Sequence, residues 1–90
     1  MDFHIRKATK EDLHEIHGLV RELAIYEKAE HEFTATLEDY QNDFEAGIFE
    51  SIVAESAGNI LGMMLYYMTY STWKGRMMYL EDFVVKETFR

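Results

Sequence analysis

The seven residues Tyr79-Leu80-Glu81-Asp82-Phe83-Val84-Val85 are rich in aromatic and β-branched side chains, which predicts a β-strand. Two adjacent carboxylates interrupt this otherwise apolar stretch. An ionised carboxylate is costly to bury unless it is paired or hydrogen-bonded. A strand that carries two of them therefore indicates an edge position, a bulge or a functional site, and this stretch is the first candidate for a site.

A regular strand would point Glu81 and Asp82 to opposite faces of the sheet, because side chains alternate along a strand. The two acids could form a pair only if a bulge intervened. The residues alone leave two interpretations of Glu81 open. It lines a cleft, where it holds an ammonium group or accepts its proton through a water, or it forms an ion pair with Arg76 or Lys74.

The residues before this strand predict two further strands, joined to each other and to the last one by short connections. Gly58-Asn59 is the predicted hairpin turn, because both residues tolerate positive φ, and 71–75 forms the second turn. Gly62 indicates a bulge or a close backbone approach inside a strand. Short connections imply antiparallel pairing. The three strands are predicted at 49–55, 60–70 and 76–85.

The first half of the chain predicts one short strand and two helices. The strand covers 3–6, where apolar and polar residues alternate. Thr9 with Asp12, and Thr36 with Asp39, have capping-box spacing and predict the two helix starts. The first helix ends near 26–28, and a charged loop follows. Its apolar face is predicted to contain Leu13, Ile16, Val20, Leu23 and Ala24.

The resulting order is β-α-α-β-β-β, which predicts an α+β fold with a mainly antiparallel sheet and helices on one or both faces. Gly47 is the natural terminator of the second helix. The chain has no proline and no cysteine, and its hydrophobic fraction is 48%. These features predict a single domain over 1–90 without disulfides or a thiolate metal site.

The formal net charge of −8 makes nucleic acid and anionic membranes poor partners and favours a cationic ligand. No apolar run is long enough to span a membrane, and the start of the chain is not that of a signal peptide. We therefore expect a cytoplasmic protein that binds no nucleic acid and no membrane. Acidic solubility alone would give the same net charge.

Four other residues are further candidates for a functional site. His14 and His17 are three residues apart on the first helix, but no third ligand has suitable spacing, so we expect surface histidines and no metal. Trp73 could contact a ligand by a cation–π interaction, although a packed edge aromatic is the simpler expectation. Glu27 would be functional only if it faced the same cleft as Glu81.

Several of these stretches together resemble the GNAT acetyltransferases, and in particular their diamine acetyltransferase branch, which acts on spermidine and spermine or on thialysine. Two segments carry most of the resemblance: 66–76, which contains Ser71-Thr72-Trp73-Lys74-Gly75-Arg76, and 79–85. In addition, the first strand and helix of the family are matched by Ile5-Arg6-Lys7-Ala8-Thr9, 21–24 and Tyr26-Glu27. The resemblance covers nearly all of the chain. It implies an acyl-CoA N-acyltransferase fold of three layers.

The resemblance also implies an activity, which is the transfer of an acetyl group from acetyl-CoA to a primary amine by direct attack. Tyr26 and Glu27 match positions that touch the amine substrate. Glu81 matches an acid at the reacting nitrogen, suggested to help deprotonate it. Trp73 is kept as a further candidate substrate contact. Ser71 replaces an acid of the polyamine acetylases, so the loop is closer to that of the thialysine enzyme.

On the acetyl-CoA side, Phe83, Val84 and Val85 match the strand whose backbone groups bind the pantetheine arm and support the acetyl carbonyl. Arg90 is also counted among the candidate cofactor contacts. After the residue matching Arg90, the family continues into a glycine-rich loop that binds the pyrophosphate, and later into a tyrosine thought to protonate the leaving thiolate. We therefore expect the N-terminal half of an acetyltransferase, inactive alone.

An incomplete fold leaves an uncovered strand edge and uncovered faces, which predicts self-association as a homodimer or a partner that supplies the rest. The alternative function is a non-catalytic dimerisation or binding module that keeps the sheet.

Overall fold

In the computed structural model, which describes residues 2–89, the chain forms one four-stranded antiparallel sheet and two α-helices, with strand order β1-β2-β3-β4. This is the predicted α+β arrangement, and the predicted order of elements is confirmed. Three short 3₁₀ turns lie between or after the main elements. The elements are β1 (His4–Lys7), α1 (Leu13–Tyr26), α2 (Leu37–Glu45), β2 (Glu50–Ser56), β3 (Asn59–Ser71) and β4 (Gly75–Val85).

Both predicted capping pairs form, one at the start of α2 and the other at the 3₁₀ turn Lys10–Asp12, which leads into α1. At α2, the Asp39 N–H donates to Thr36 Oγ1 at 3.0 Å and the Thr36 N–H donates to the Asp39 carboxylate at 2.9 Å. Before α1, Asp12 ends a 3₁₀ turn and its carboxylate accepts the Thr9 N–H at 2.7 Å. Gly47, at φ 76°, follows the end of α2 as predicted. Capping thus fixes where each helix begins.

The core lies between the two helices and one face of the sheet. Leu19 belongs to it although the predicted apolar face of α1 did not include it, because its position three residues after Ile16 also faces the sheet. The other face of the sheet is open: Ile5 and Phe83 are 63% and 65% exposed. The buried core residues are Leu13, Ile16, Leu19, Val53, Ile60, Met63, Leu65 and Val84.

The sheet contains a bulge in β3, where Gly62 pairs with Ala54 and Ile60 pairs with Glu55, so that Leu61 is the extra residue. A Cβ on Gly62 would lie 2.9 Å from the carbonyl oxygen of Val84 in β4. Gly62 therefore combines the bulge and the close approach that the sequence predicted as alternatives.

The turn between β2 and β3 differs from the prediction by one residue. It is made by Ala57 and Gly58, at φ 52° and 82°, and Asn59 already belongs to β3. Two successive positive φ angles are what a type I′ hairpin requires, and Ala57 adopts one of them although alanine disfavours it. Within residues 2–89, no helix combines the length and the apolar character that crossing a bilayer would need.

Candidate active site on β4

A second bulge lies at the acidic pair of β4. Leu65 is opposite Asp82 and the next residue, Tyr66, is opposite Leu80, so Glu81 is the extra residue. A bulge shifts the alternation of side chains by one position. Asp82 therefore lies on the helix-covered face with Leu65 and Val84, and the bulge lets the exposed Glu81 side chain turn toward the same face. The bulge that the sequence analysis required for a pair of acids is present.

Electrostatics agree with this arrangement. Asp82 is half-buried, and its pKa is raised above the usual value by burial and by the negative charges of Glu81 and Glu27. Burial and nearby like charges both disfavour the ionised form of a carboxyl group. Three carboxyl groups, two from β4 and one from the residue that follows α1, are therefore close enough for their charges to interact.

A surface hollow of about 290 Å³ lies beside Asp82, between the end of α1, the segment that follows it, and β4. We call it the acidic hollow. Three of the residues that line it, Glu27, Glu32 and Asp82, are acidic, and the others are apolar. No lysine or arginine of the described residues lines it. The lining residues are Val20, Leu23, Ala24, Glu27, Ala29, Glu32, Phe33 and Asp82.

Glu81 itself is exposed, and among residues 2–89 it forms no ion pair. The interpretation that ties Glu81 to Arg76 or Lys74 is therefore not seen in the structure. The rings of Tyr67 and Tyr79 pack against each other at a tilt of 43°, with centroids 5.4 Å apart. The pKa of Tyr67 is raised by partial burial and by the charge of Glu81. Glu81 is thus an acid without a cationic partner in the described part of the chain.

Tyr40 was not predicted to belong to the site. It is half-buried on α2, and burial together with the charge of Asp82 raises its pKa to about 12. The capping-box pattern predicts the helix that contains Tyr40 but gives no signal that this residue lies near Asp82. That signal depends on tertiary packing.

The predicted substrate contacts fall in different places. Glu27 lines the acidic hollow, whereas Tyr26, one residue earlier, is 68% exposed and lines a separate hollow of about 490 Å³. Trp73 is 94% exposed at the turn before β4, so the expectation of a packed aromatic is wrong. Trp73 is also far from the acids, because Gly75, at the start of β4, is seven residue steps from Asp82, or about 23 Å along a strand.

The outer side of β4 is a sheet edge within the described residues. The Lys86 N–H donates to the Leu61 carbonyl oxygen at 2.7 Å. Since backbone N–H groups alternate between the two edges of a strand, Val84 also directs its N–H toward β3, and Phe83 directs its N–H outward. The side chain of Val84 is buried. Arg90 lies outside the described residues, so its predicted contact cannot be placed.

The histidine pair of α1 divides into two different environments. His14 is exposed, but His17 is half-buried and its ring packs against Phe33 and Tyr40. The expectation of two surface histidines is therefore wrong for His17. Within residues 2–89, no group of three or more His, Cys, Asp or Glu side chains is arranged to hold a metal ion.

Comparison with known proteins gives a consistent set of sequence relatives. The chain is 40% identical over 96 residues to thialysine N-epsilon-acetyltransferase of Bos taurus, an alignment that covers 96% of this chain and 56% of that protein. It is 33% identical over 97 residues to human spermidine/spermine N(1)-acetyltransferase-like protein 1, covering 98% of this chain and 14% of the relative. The chain thus spans about half the length of the thialysine enzyme. No protein-family profile matches the sequence.

Solved structures share the fold at lower identity. A predicted acetyltransferase from Clostridium acetobutylicum, solved with acetyl-CoA, superposes with a TM-score of 0.74 at 18% identity and covers 99% of this chain and 63% of its own. An aminoglycoside acetyltransferase from an uncultured soil metagenomic sample, in complex with sisomicin, gives 0.74 at 18% identity, covering 98% and 59%. At these identities the comparison establishes the fold alone.

Proposed function

In sequence and in fold the chain belongs to the GNAT N-acetyltransferases, and on that premise we propose that the full-length protein transfers an acetyl group from acetyl-CoA to a primary amine of a small cationic substrate. The observation that carries the proposal is the bulge at Glu81, which puts Asp82 on the helix-covered side of an edge strand, beside Glu81 and near enough to Glu27 to be affected by its charge.

The acids suit an amine because an alkylammonium group is protonated at neutral pH and must lose a proton before its nitrogen can attack. Glu81, the exposed member of the pair, accepts that proton directly or through a water. Asp82 and Glu27 hold the positive charge of the substrate beside it. A substrate cation beside Asp82 would offset the burial and the neighbouring negative charges that raise the pKa of that carboxyl group.

Acetyl-CoA supplies the acyl thioester in this reaction. As the amine nitrogen bonds to the acyl carbon, the carbon–sulfur bond breaks, and the leaving thiolate takes up the second proton that the nitrogen releases. The outward N–H of Phe83 is a donor for the negative charge that develops on the carbonyl oxygen. An extended arm can pair with the outer edge of β4 along 83–85 by backbone hydrogen bonds.

The acidic hollow favours a substrate with two positive charges. Glu27, Glu32 and Asp82 line it without a lysine or arginine, so a second ammonium group would be attracted there. The α-carboxylate of a lysine-like amino acid would face three negative charges and be repelled. We therefore propose a diamine or polyamine as the preferred substrate, although the more similar relative is named for thialysine.

An acetylation assay of the full-length protein with acetyl-CoA tests both statements. The panel is 1,3-diaminopropane, spermidine, lysine, thialysine and butylamine, the last a matched monoamine without a second charge. We expect kcat/KM for the diamines to exceed that for lysine about tenfold, the effect of about 1.4 kcal/mol. No turnover of any amine would contradict the acetyltransferase function. Equal rates on diamines and amino acids would contradict only the substrate preference.

A further inference from the structure

His17 joins three parts of the chain near the acidic hollow. From α1, its Nε2 lies 2.8 Å from the carbonyl oxygen of Ala35, just before the start of α2. Its ring packs between Phe33, with centroids 4.8 Å apart, and Tyr40, with centroids 4.9 Å apart. One side chain thus contacts the segment between the helices at two points and α2 at a third.

Both aromatic neighbours of His17 adjoin the site. Phe33 lines the acidic hollow with Glu27 and Asp82, and Tyr40 is close enough to Asp82 to be affected by its charge. Glu32, another wall of the hollow, precedes Phe33 in the chain. The position of 29–35 therefore determines how far Glu32 and Phe33 stand from Asp82.

This segment has few other contacts with the helices, and one of them is the bond from the Ala29 N–H to the Ala24 carbonyl oxygen at 2.8 Å. It contains only a short 3₁₀ turn at Glu30–Glu32 and no strand pairing. Arg21 binds Glu30 at 3.1 Å, but both side chains are more than half exposed, and exposed ion pairs contribute little. His17 adds one hydrogen bond and two ring contacts, and such ring contacts contribute beyond the area that they bury.

We propose that His17 is a positioning residue, which holds the α1–α2 connection against the acidic hollow and thereby sets the affinity for the amine substrate without touching it. The inference rests on the proposed function of that hollow. It distinguishes His17 from His14, which is exposed on the same helix three residues earlier. His14→Phe is therefore the matched control.

The test is steady-state kinetics of the full-length protein carrying His17→Phe, which keeps a ring but cannot donate to Ala35. We expect KM for the diamine to rise about fivefold, the effect of one ordinary hydrogen bond. KM for acetyl-CoA and kcat should stay within about twofold, because β4 is not displaced. His14→Phe should leave all three constants unchanged. An unchanged amine KM, or equal increases in both KM values, would overturn the inference.

Amide hydrogen exchange gives a second measurement that does not depend on turnover. His17→Phe should speed exchange of the amides in 29–35 and leave β3 and β4 unaffected, because local opening reflects local contacts. If the wild type acetylates no amine, the proposed function fails, while this measurement still decides the positioning role. Identical exchange of 29–35 in wild type and variant would overturn that role, and so would faster exchange over the whole chain.

Discussion

Two aspartates of this molecule are withdrawn from water in opposite electrostatic surroundings. Asp12 is 7% exposed and accepts two hydrogen bonds from the Arg6 guanidinium, at 2.8 and 2.9 Å. Hydrogen bonding to Arg6 is the main reason why the pKa of Asp12 is lowered. Asp82 is half-buried beside Glu81 and Glu27, and its pKa is raised. The first acid has its cation within the fold, and the second is surrounded by acids.

The difference separates a structural acid from one suited to a ligand. At Asp12 the charge is compensated by Arg6, which also binds Glu55 at 3.1 Å and so connects the start of α1 with β1 and β2. At Asp82 the described residues supply negative charge only, which costs stability. A cationic substrate would supply at Asp82 what Arg6 supplies at Asp12.

The strongest test of this comparison is Glu81→Gln in the full-length protein. Loss of the proton acceptor should lower kcat for a diamine about 100-fold at neutral pH, the lower range for general base catalysis. Stability should hardly change, because Glu81 is exposed. The measurement is kcat together with the urea midpoint, and Glu38→Gln, an exposed acid of α2, is the control. An unchanged kcat would remove the proposed role of Glu81.

The next largest effect is expected at the structural acid. Asp12→Asn places an amide against Arg6 and weakens the bond to the Thr9 N–H, which should destabilise the fold by about 2 kcal/mol. The folded-state pKa of Asp12 is below the unfolded value of 3.8. Its contribution is therefore fully present above pH 3.8 and is lost as pH falls through the folded pKa.

The measurement is urea unfolding of wild type and Asp12→Asn between pH 3 and 7. The difference between the two proteins should shrink as pH falls below about 4. A difference that does not depend on pH would mean that packing, and not the ion pair, accounts for the loss.

The helices and strands could be predicted from the sequence because local rules fix them. Capping boxes at Thr9 and Thr36 and a terminating Gly47 define the helices, and short connections force the antiparallel order. The hairpin was misplaced by one residue because Ala57 takes the positive φ that composition assigns to Gly58-Asn59. Here the pairing of β2 with β3 overrides local preference.

The electrostatic contrast could be predicted only in part. Period-two alternation separates Glu81 from Asp82, and the pattern itself cannot place the bulge that reunites them. Arg6 and Asp12 meet because β1 and the start of α1 pack together, whereas the capping pattern showed only the bond from Asp12 to Thr9. The places of Tyr40 and Phe33 depend in the same way on tertiary packing, because α2 and the segment before it meet α1 at His17.

A charge reversal at Glu27 should make the second site resemble the first. In Glu27→Lys the new ammonium group lies beside Asp82, lowers the pKa of that carboxyl group and occupies the place of a substrate cation. We expect KM for the diamine to rise about tenfold and stability to rise by about 0.5 kcal/mol. Glu38→Lys changes the net charge equally at a distance and is the control. A similar KM increase in both variants would attribute the effect to net charge alone.

The smallest expected effect is the gain in stability from Asp82→Asn. Because the folded-state pKa of Asp82 lies above the unfolded value of 3.8, wild type loses stability as pH rises from about 4 through the folded pKa, and the asparagine variant does not. At pH 7 the variant should therefore be more stable, by less than about 1 kcal/mol since Asp82 is only half-buried. Urea unfolding between pH 3 and 8 measures the gap in stability between the variant and wild type, with Asp43→Asn, at an exposed position of α2, as the control. The gap should widen with pH, opposite in sign to that at Asp12, and a gap that narrows with pH would show that Asp82 has a cationic partner after all.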